Sequence, residues 1–206
     1  GIISMSILTS LEDLHAHYGT AGEASLIKEI DHLSPAYRRI VEASNFCTLA
    51  TCGPEGLDCS PRGDDGMVVR IQDDQTLLMP DRRGNNRIDS LRNIVRDPRV
   101  SLMFMIPGWN NVLRINGKAV LSVEHDLIAS FEKEGHLPRS VIVVTIGSVY
   151  FQCARAIMRA GLWETENRTG KGDLPSPGEI MKEIKASFDG ETYDREWPER
   201  AKTSMW

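Results

Sequence analysis

The chain has 206 residues, 41% hydrophobic and 26% charged, enough for one ordinary globular core with appendages. Its net charge of −5 argues against the broad basic face that nucleic acid requires, and no apolar run approaches the roughly 18 residues of a membrane span. No secretory signal pattern opens the sequence, and Cys47, Cys52, Cys59 and Cys153 form neither a CxxC pair nor a paired framework, so reduced, buried thiols in a cytoplasmic protein are expected.

Residues 10–44 read as helical. Ser10 caps a short helix that Gly19 ends. A second runs from Glu23 to His32, with Ile27, Ile30 and Leu33 at helical spacing. Ser34-Pro35 opens a third, with Tyr37, Ile40 and Val41 on one face. His15 and His17, two apart on a helix, point in different directions, so no metal site is expected.

Strands begin at Phe46. FCTLATC reads as buried, Gly53-Pro54-Glu55-Gly56 as a turn, and LDCSP as its antiparallel return. Met67–Ile71 and Thr76–Met79 form a second pair. A helix from about Asn86 to Arg96 turns Ile88, Leu91, Ile94 and Val95 inward and stops at Asp97-Pro98. Val100–Ile106 is a continuous apolar strand. Within 112–123, Asn116-Gly117 is a strong hairpin signal by itself. Glu124–Lys133 reads as a helix ended by Gly135, Ser140–Phe151 as a central strand, and Cys153–Ala160 as a short helix leading to Trp163. Residues 164–178 are polar and rich in Gly and Pro. Glu179–Phe188 follows as a terminal helix with Ile180, Met181, Ile184 and Phe188 inward, and the charged tail 191–206 reads as disordered or laid across a partner subunit. Many short antiparallel strands with peripheral helices make a barrel of the β-rich α+β class, mainly β; a Rossmann sheet is disfavoured because GxGxxG and alternating strands and helices are absent.

One loop concentrates the positive charge. From Asp81 to Arg99 six arginines face three aspartates, so this stretch carries +3 and the remainder −8. Asp81-Arg82-Arg83-Gly84-Asn85-Asn86-Arg87 joins a strand to a helix start, where unpaired backbone N–H groups and guanidinium forks suit a phosphate. A solvated, Arg-rich helix start is the plainer alternative.

The same stretch carries a resemblance. SPRGD (60–64), the strand ending in MPDRRGNNR (79–87), DSLRNI (89–94) and DPRVSLMF (97–104) are similar to the pyridoxamine 5′-phosphate oxidase-like FMN-binding split-barrel superfamily, and more narrowly to its branch of FMN-dependent proteins with an N-terminal helical extension. The likeness runs from about Tyr18 to Trp163. It implies an antiparallel split β-barrel at 46–163, with N-terminal helices at 1–45 and a linker, terminal helix and charged tail at 164–206. It also implies that residues 112–123 are one long bent strand with Gly117 at a bulge.

Carried over residue by residue, the resemblance implies a homodimer with two FMN sites at its interface. Ser60, Pro61, Arg62 and Gly63 would run beside the flavin ring, and Met79, Pro80 and Asp81 would lie under the ribityl chain. Arg82, Arg83, Asn85, Asn86 and Arg87 would cover the phosphate, where the superfamily commonly has Ser-Arg-Lys. Arg159 and Trp163 are candidates to reach a flavin held by the other subunit. Arg62 would steady a reduced, anionic ring; its plainer alternative is a surface ion pair with Asp64 or Asp65. No GxSxG nucleophile motif appears, and the Arg-x-His arrangement that true pyridoxamine phosphate oxidases direct at their substrate is missing. The expected function is an FMN-dependent oxidoreductase of unidentified substrate. A non-catalytic flavin carrier or sensor, or a haem- or deazaflavin-binding barrel, stays open.

Overall fold

A computed structural model describes residues 6–84, 87–167, 170 and 173–206. Its strands are β1 (Phe46–Gly53), β2 (Gly56–Gly63), β3 (Arg70–Asp73), β4 (Thr76–Pro80), β5 (Arg99–Met105), β6 (Val112–Ser122) and β7 (Val141–Gln152). They form one antiparallel sheet in the order β2-β1-β5-β6-β7-β4-β3, a mainly β split barrel with helices around it. Cys47 and Leu49 on β1, Leu102 and Phe104 on β5, and Leu113 and Ile115 on β6 alternate into the core. Met67–Val69, expected as strand, lies outside β3, although Val68 and Val69 are buried. β4 is covered on both faces: Leu77 and Met79 join the main core while Leu78 packs with Phe131 and Val141, which explains its unbroken apolar run.

β6 is one long strand because both its edges are taken, by β5 and by β7. The register slips at Asn116/Gly117, where β7 inserts Gly147. Gly117 is required there, since a Cβ would stand 2.2 Å from the Thr145 carbonyl oxygen.

The N-terminal helices are α1 (Leu11–Tyr18), α2 (Glu23–Ile27) and α3 (Pro35–Ala43). Ser10 Oγ accepts from the Asp13 N–H at 3.0 Å and Ser34 Oγ from the Tyr37 N–H at 3.2 Å, so both caps are as expected. α2 stops early because Ile30 leaves the helix to bridge Val149. α3 buries Tyr37 and Val41, whereas α1 buries nothing.

α4 (Asp89–Arg96) departs from its expected face: Ser90, Asn93 and Ile94 are buried, while Ile88 and Val95 are exposed. The inward polar residues have partners, Asn93 Nδ2 donating to Thr51 Oγ1 at 3.0 Å. α5 (His125–Ala129) and α6 (Arg155–Ala160) are short; α7 (Pro177–Ile184) leaves Ile180 and Ile184 exposed. The tail is no loose segment. It forms α8 (Gly190–Ser204), which packs on α7 and ends against its own barrel, where Trp206 O accepts from the Arg83 N–H at 2.8 Å. The thiols also differ from expectation: Cys59 and Cys153 are exposed, and only Cys47 is fully buried, its pKa pushed up to about 12 by that burial. Among the described residues no helix is long and apolar enough to cross a membrane.

Candidate functional site

β2 is one edge of the sheet and β4 lies one strand from the other, so the ends of these strands flank the open seam of the barrel. A cleft of about 440 Å³ opens there. Ser60, Pro61, Arg62 and Gly63 line it from β2, and Met79, Pro80, Asp81, Arg82 and Arg83 from the end of β4 and its loop. Residues that sequence reasoning placed in one site are therefore brought together. Val68, Ile88 and Leu91 complete the apolar lining.

Ion pairs tie the seam. Arg62 Nη1 donates to Asp81 Oδ1 at 2.8 Å, a different partner from the Asp64 or Asp65 of its plainer alternative. Arg82 Nε donates to Asp64 Oδ2 at 3.1 Å and its Nη1 to the Phe131 carbonyl at 3.1 Å. Lys133 Nζ donates to Asp64 Oδ1 at 2.8 Å and also to Asp65. Burial raises the Asp64 pKa, but hydrogen bonds from Lys133, the Asp65 N–H and Arg82 outweigh it and hold the carboxyl at about 2.

Arg83 is placed differently. Its guanidinium pairs with no carboxylate among the described residues and lies 5.7 Å from the Trp206 ring centre. Arg87 is directed at Asp89 at 2.9 Å, largely exposed and outside the cleft wall. Asn85 and Asn86 lie outside the described residues. Beyond the loop, α4 begins with no side-chain cap, and its N-cap Ile88 has φ of 54°. First-turn amides left uncapped beside Arg83 make this end of the cleft the one suited to an anion.

A chain of hydroxyls reaches the cleft from behind. Ser90 Oγ donates to Asp58 Oδ2 at 2.8 Å and lies 3.0 Å from Ser60 Oγ. Ser90 has a single hydroxyl proton, directed to Asp58, so Ser60 must donate to Ser90 and turns only lone pairs elsewhere. Asp58, Ser90 and Lys133 were not singled out from sequence, and Leu91 was read only as an inward residue of its helix. Asp58 and Ser60 share a strand face at i and i+2, a legible signal, whereas nothing local marks Ser90 or Lys133.

Arg159 and Trp163 do not line this cleft. They follow the Gln152 end of β7, while Pro80 pairs with Val141 at its opposite end. Trp163 Nε1 donates to the Trp109 carbonyl at 2.9 Å.

The family model described as pyridoxamine 5′-phosphate oxidase matches residues 33–153, more than half the chain and all seven strands. The chain belongs to this family. No curated protein sequence matches it. Among solved structures it is similar to a candidate pyridoxamine 5′-phosphate oxidase of Lactobacillus delbrueckii, at 18% identity over 59% of this chain and 95% of that one, TM-score 0.48. It is also similar to HupZ of Group A Streptococcus, at 17% identity over 58% and 93%, TM-score 0.47. A third, an FMN-binding protein from Syntrophomonas wolfei, has 12% identity over 69% and 97%, TM-score 0.44.

The cleft can be tested against a flavin. Its volume falls within the roughly 300–1,000 Å³ of small-molecule sites. Val68, Met79, Pro61, Pro80 and Leu91 supply an apolar wall, Ser60 a fixed acceptor, and Arg83 with the start of α4 an anion seat. These residues fit a ring carrying a phosphorylated chain.

Proposed function

We propose that the chain binds FMN in the seam cleft and serves as an FMN-dependent oxidoreductase, acting as a homodimer. The observation that carries the reading is the meeting of an apolar wall, a carboxylate-free Arg83 and an uncapped helix start in one cleft. In this reading Arg83 and the α4 amides hold the phosphate, Met79 and Pro80 pack under the ribityl chain, and Pro61 and Val68 border the ring. Ser60, its proton directed to Ser90, accepts a hydrogen bond from a ring N–H. Arg62 stands beside the ring with Asp81 fixing its position. The remaining seam pair, Arg82 with Asp64, keeps the cleft walls in register.

Bound flavin supplies the hydride or electron transfer. The acidic groups of the cleft, Asp64 and Asp81, are each engaged in an ion pair, so the chain's part is binding, orientation and tuning. Exposed Ile7, Leu11, Tyr18, Leu26 and Ile27 of the N-terminal segment support a second copy covering them. Pyridoxamine 5′-phosphate is not the expected substrate, because the Arg-x-His arrangement is absent.

The test is an absorption spectrum and mass of whatever copurifies, followed by FMN titration and turnover with a reduced nicotinamide. Flavin bands, saturable FMN binding and donor oxidation are expected. A Soret band, or no FMN binding by the folded chain, would overturn the cofactor assignment; binding without turnover of any donor would reduce the protein to a flavin carrier.

A further inference from the structure

A second, larger cleft of about 1070 Å³ lies against the first. The two share a wall made of Gly63, Asp64, Arg82, Arg83 and Gly84. Its opposite wall is the chain's own tail: Trp197, Arg200 and Trp206, with Lys133 at the side.

The tail is built to stand over this hollow rather than to fill it. α7 and α8 form a tight pair, with Gly178 and Gly190 so close that a Cβ on either would stand 2.2 Å from the other's carbonyl oxygen. Asp194 locks them, accepting from the Gly178 N–H at 2.9 Å and from Ser176 Oγ at 2.5 Å. From that pair α8 reaches back to the barrel, and Trp206, two residues past its end, makes the join. Trp206 O takes the Arg83 N–H, and the indole stacks on His136 with ring centres 4.3 Å apart and planes 9° from parallel. The indole Nε1–H is buried there with no acceptor among the described residues. A buried, unsatisfied donor is costly and rare, and it leaves this N–H open to an acceptor that a ligand could bring. Trp197 remains half-exposed on the wall.

Charge in this cleft is positive. Arg82 and Lys133 are balanced by Asp64 and Asp65. Arg83 has no carboxylate partner among the described residues; Arg200 donates one N–H to the Tyr193 carbonyl at 2.8 Å and lies over the Tyr193 ring, and its nearest carboxylate is the exposed Glu196 at 3.8 Å. Two indoles offer stacking faces and an orphan N–H, while the Arg200 guanidinium offers charge-assisted donors.

We propose that this cleft is a second ligand site, for a planar aromatic compound bearing an anionic substituent, with Trp206 as its movable wall. Such a ligand stacks on the indoles and places its anion at Arg200, the cleft's cation that does not line the seam cleft. It then lies beside the seam cleft, where a substrate would stand; that role rests on the flavin reading above, whereas the site itself does not.

The test is calorimetric titration of 2-naphthoate into the full chain saturated with FMN, with cyclohexanecarboxylate as the non-planar control. Saturable binding of 2-naphthoate and much weaker binding of the control are expected. Trp206→Ala and Arg200→Gln, neither of which lines the seam cleft, should each weaken 2-naphthoate about tenfold or more while FMN affinity stays within about threefold. No 2-naphthoate binding, or binding indifferent to both substitutions, overturns the proposal. If FMN itself fails to bind, the same titration without it decides this site separately: binding that depends on Trp206 and Arg200 sustains it, and binding that does not overturns it.

Discussion

Arg62 and Asp81 meet at 2.8 Å although β2 and β4 stand five places apart in the sheet. The pair therefore spans the seam of the barrel rather than two neighbouring strands, and both side chains are largely covered, at 19% and 20% exposure. A covered pair of this kind orients the guanidinium and braces the cleft at once. Arg62→Ala and Asp81→Ala should each cost about 1–2 kcal/mol of stability in urea unfolding, because each leaves a part-buried charge without its partner. The double substitution should cost clearly less than the sum, with a coupling of about 1 kcal/mol. Additive losses would mean that the contact does not brace the seam.

Ile88 sits in the left-handed region at φ 54°, a conformation a β-branched residue adopts only under constraint. Its side chain is half exposed, so little packing opposes replacement. Ile88→Asn should leave stability unchanged or raise it by up to about 1 kcal/mol. Ile94→Asn, on the buried face of the same helix, should lose more than about 2 kcal/mol. Equal losses at both positions would contradict the exposed placement of Ile88.

Asp64 is held at about 2, below the roughly 3.9 of an unfolded aspartate. The folded chain thus binds that proton less readily than the unfolded one. The stabilisation is complete above about pH 4 and is lost as pH falls toward 2. Asp64→Asn should be less stable than the parent at pH 6, and the gap should close between pH 4 and 2.5. A gap constant across that interval would show that the Lys133 and Arg82 contacts do not govern the carboxyl.

The proposed dimer makes a prediction of its own. Arg159 and Trp163 follow the end of β7 remote from Pro80 and do not line their own seam cleft, so in the proposed dimer they are the candidates to reach the partner's. If FMN binds across such an interface, it stabilises the dimer by mass action. Sedimentation on dilution should show a tighter dimer with saturating FMN, and Trp163→Ala should remove much of that gain. A dimer constant unmoved by FMN would confine the site to one subunit.

Much of this architecture was legible in the chain. The Ser10 and Ser34 caps, the alternation through β1 and β5, and the loop that leaves β4 all carry local signals. The long β6 was not legible from Asn116-Gly117, which alone spells a hairpin; the edges supplied by β5 and β7 overrule the turn, and only the resemblance anticipated it. The face of α4 was misjudged because apolar spacing cannot anticipate that Ser90 and Asn93 find polar partners inside while Ile88 and Val95 face water. In the site, residue types were readable but pairings were not. Arg62 chose Asp81, and Arg82 was taken by Asp64 and Phe131, because those partners arrive through the fold from 18 to 49 positions away. The tail misled for the same reason, since its anchor at Arg83 lies more than a hundred residues upstream.

In the proposed site Arg83 receives the phosphate of FMN in the seam cleft. This assignment is tested most directly by comparing FMN and riboflavin affinities of the parent chain and of Arg83→Ala. FMN should weaken about 10- to 150-fold, the value of one charged hydrogen bond of roughly 1.5–3 kcal/mol, while riboflavin should be nearly unaffected. Equal weakening of both ligands, or no weakening of FMN, would contradict it.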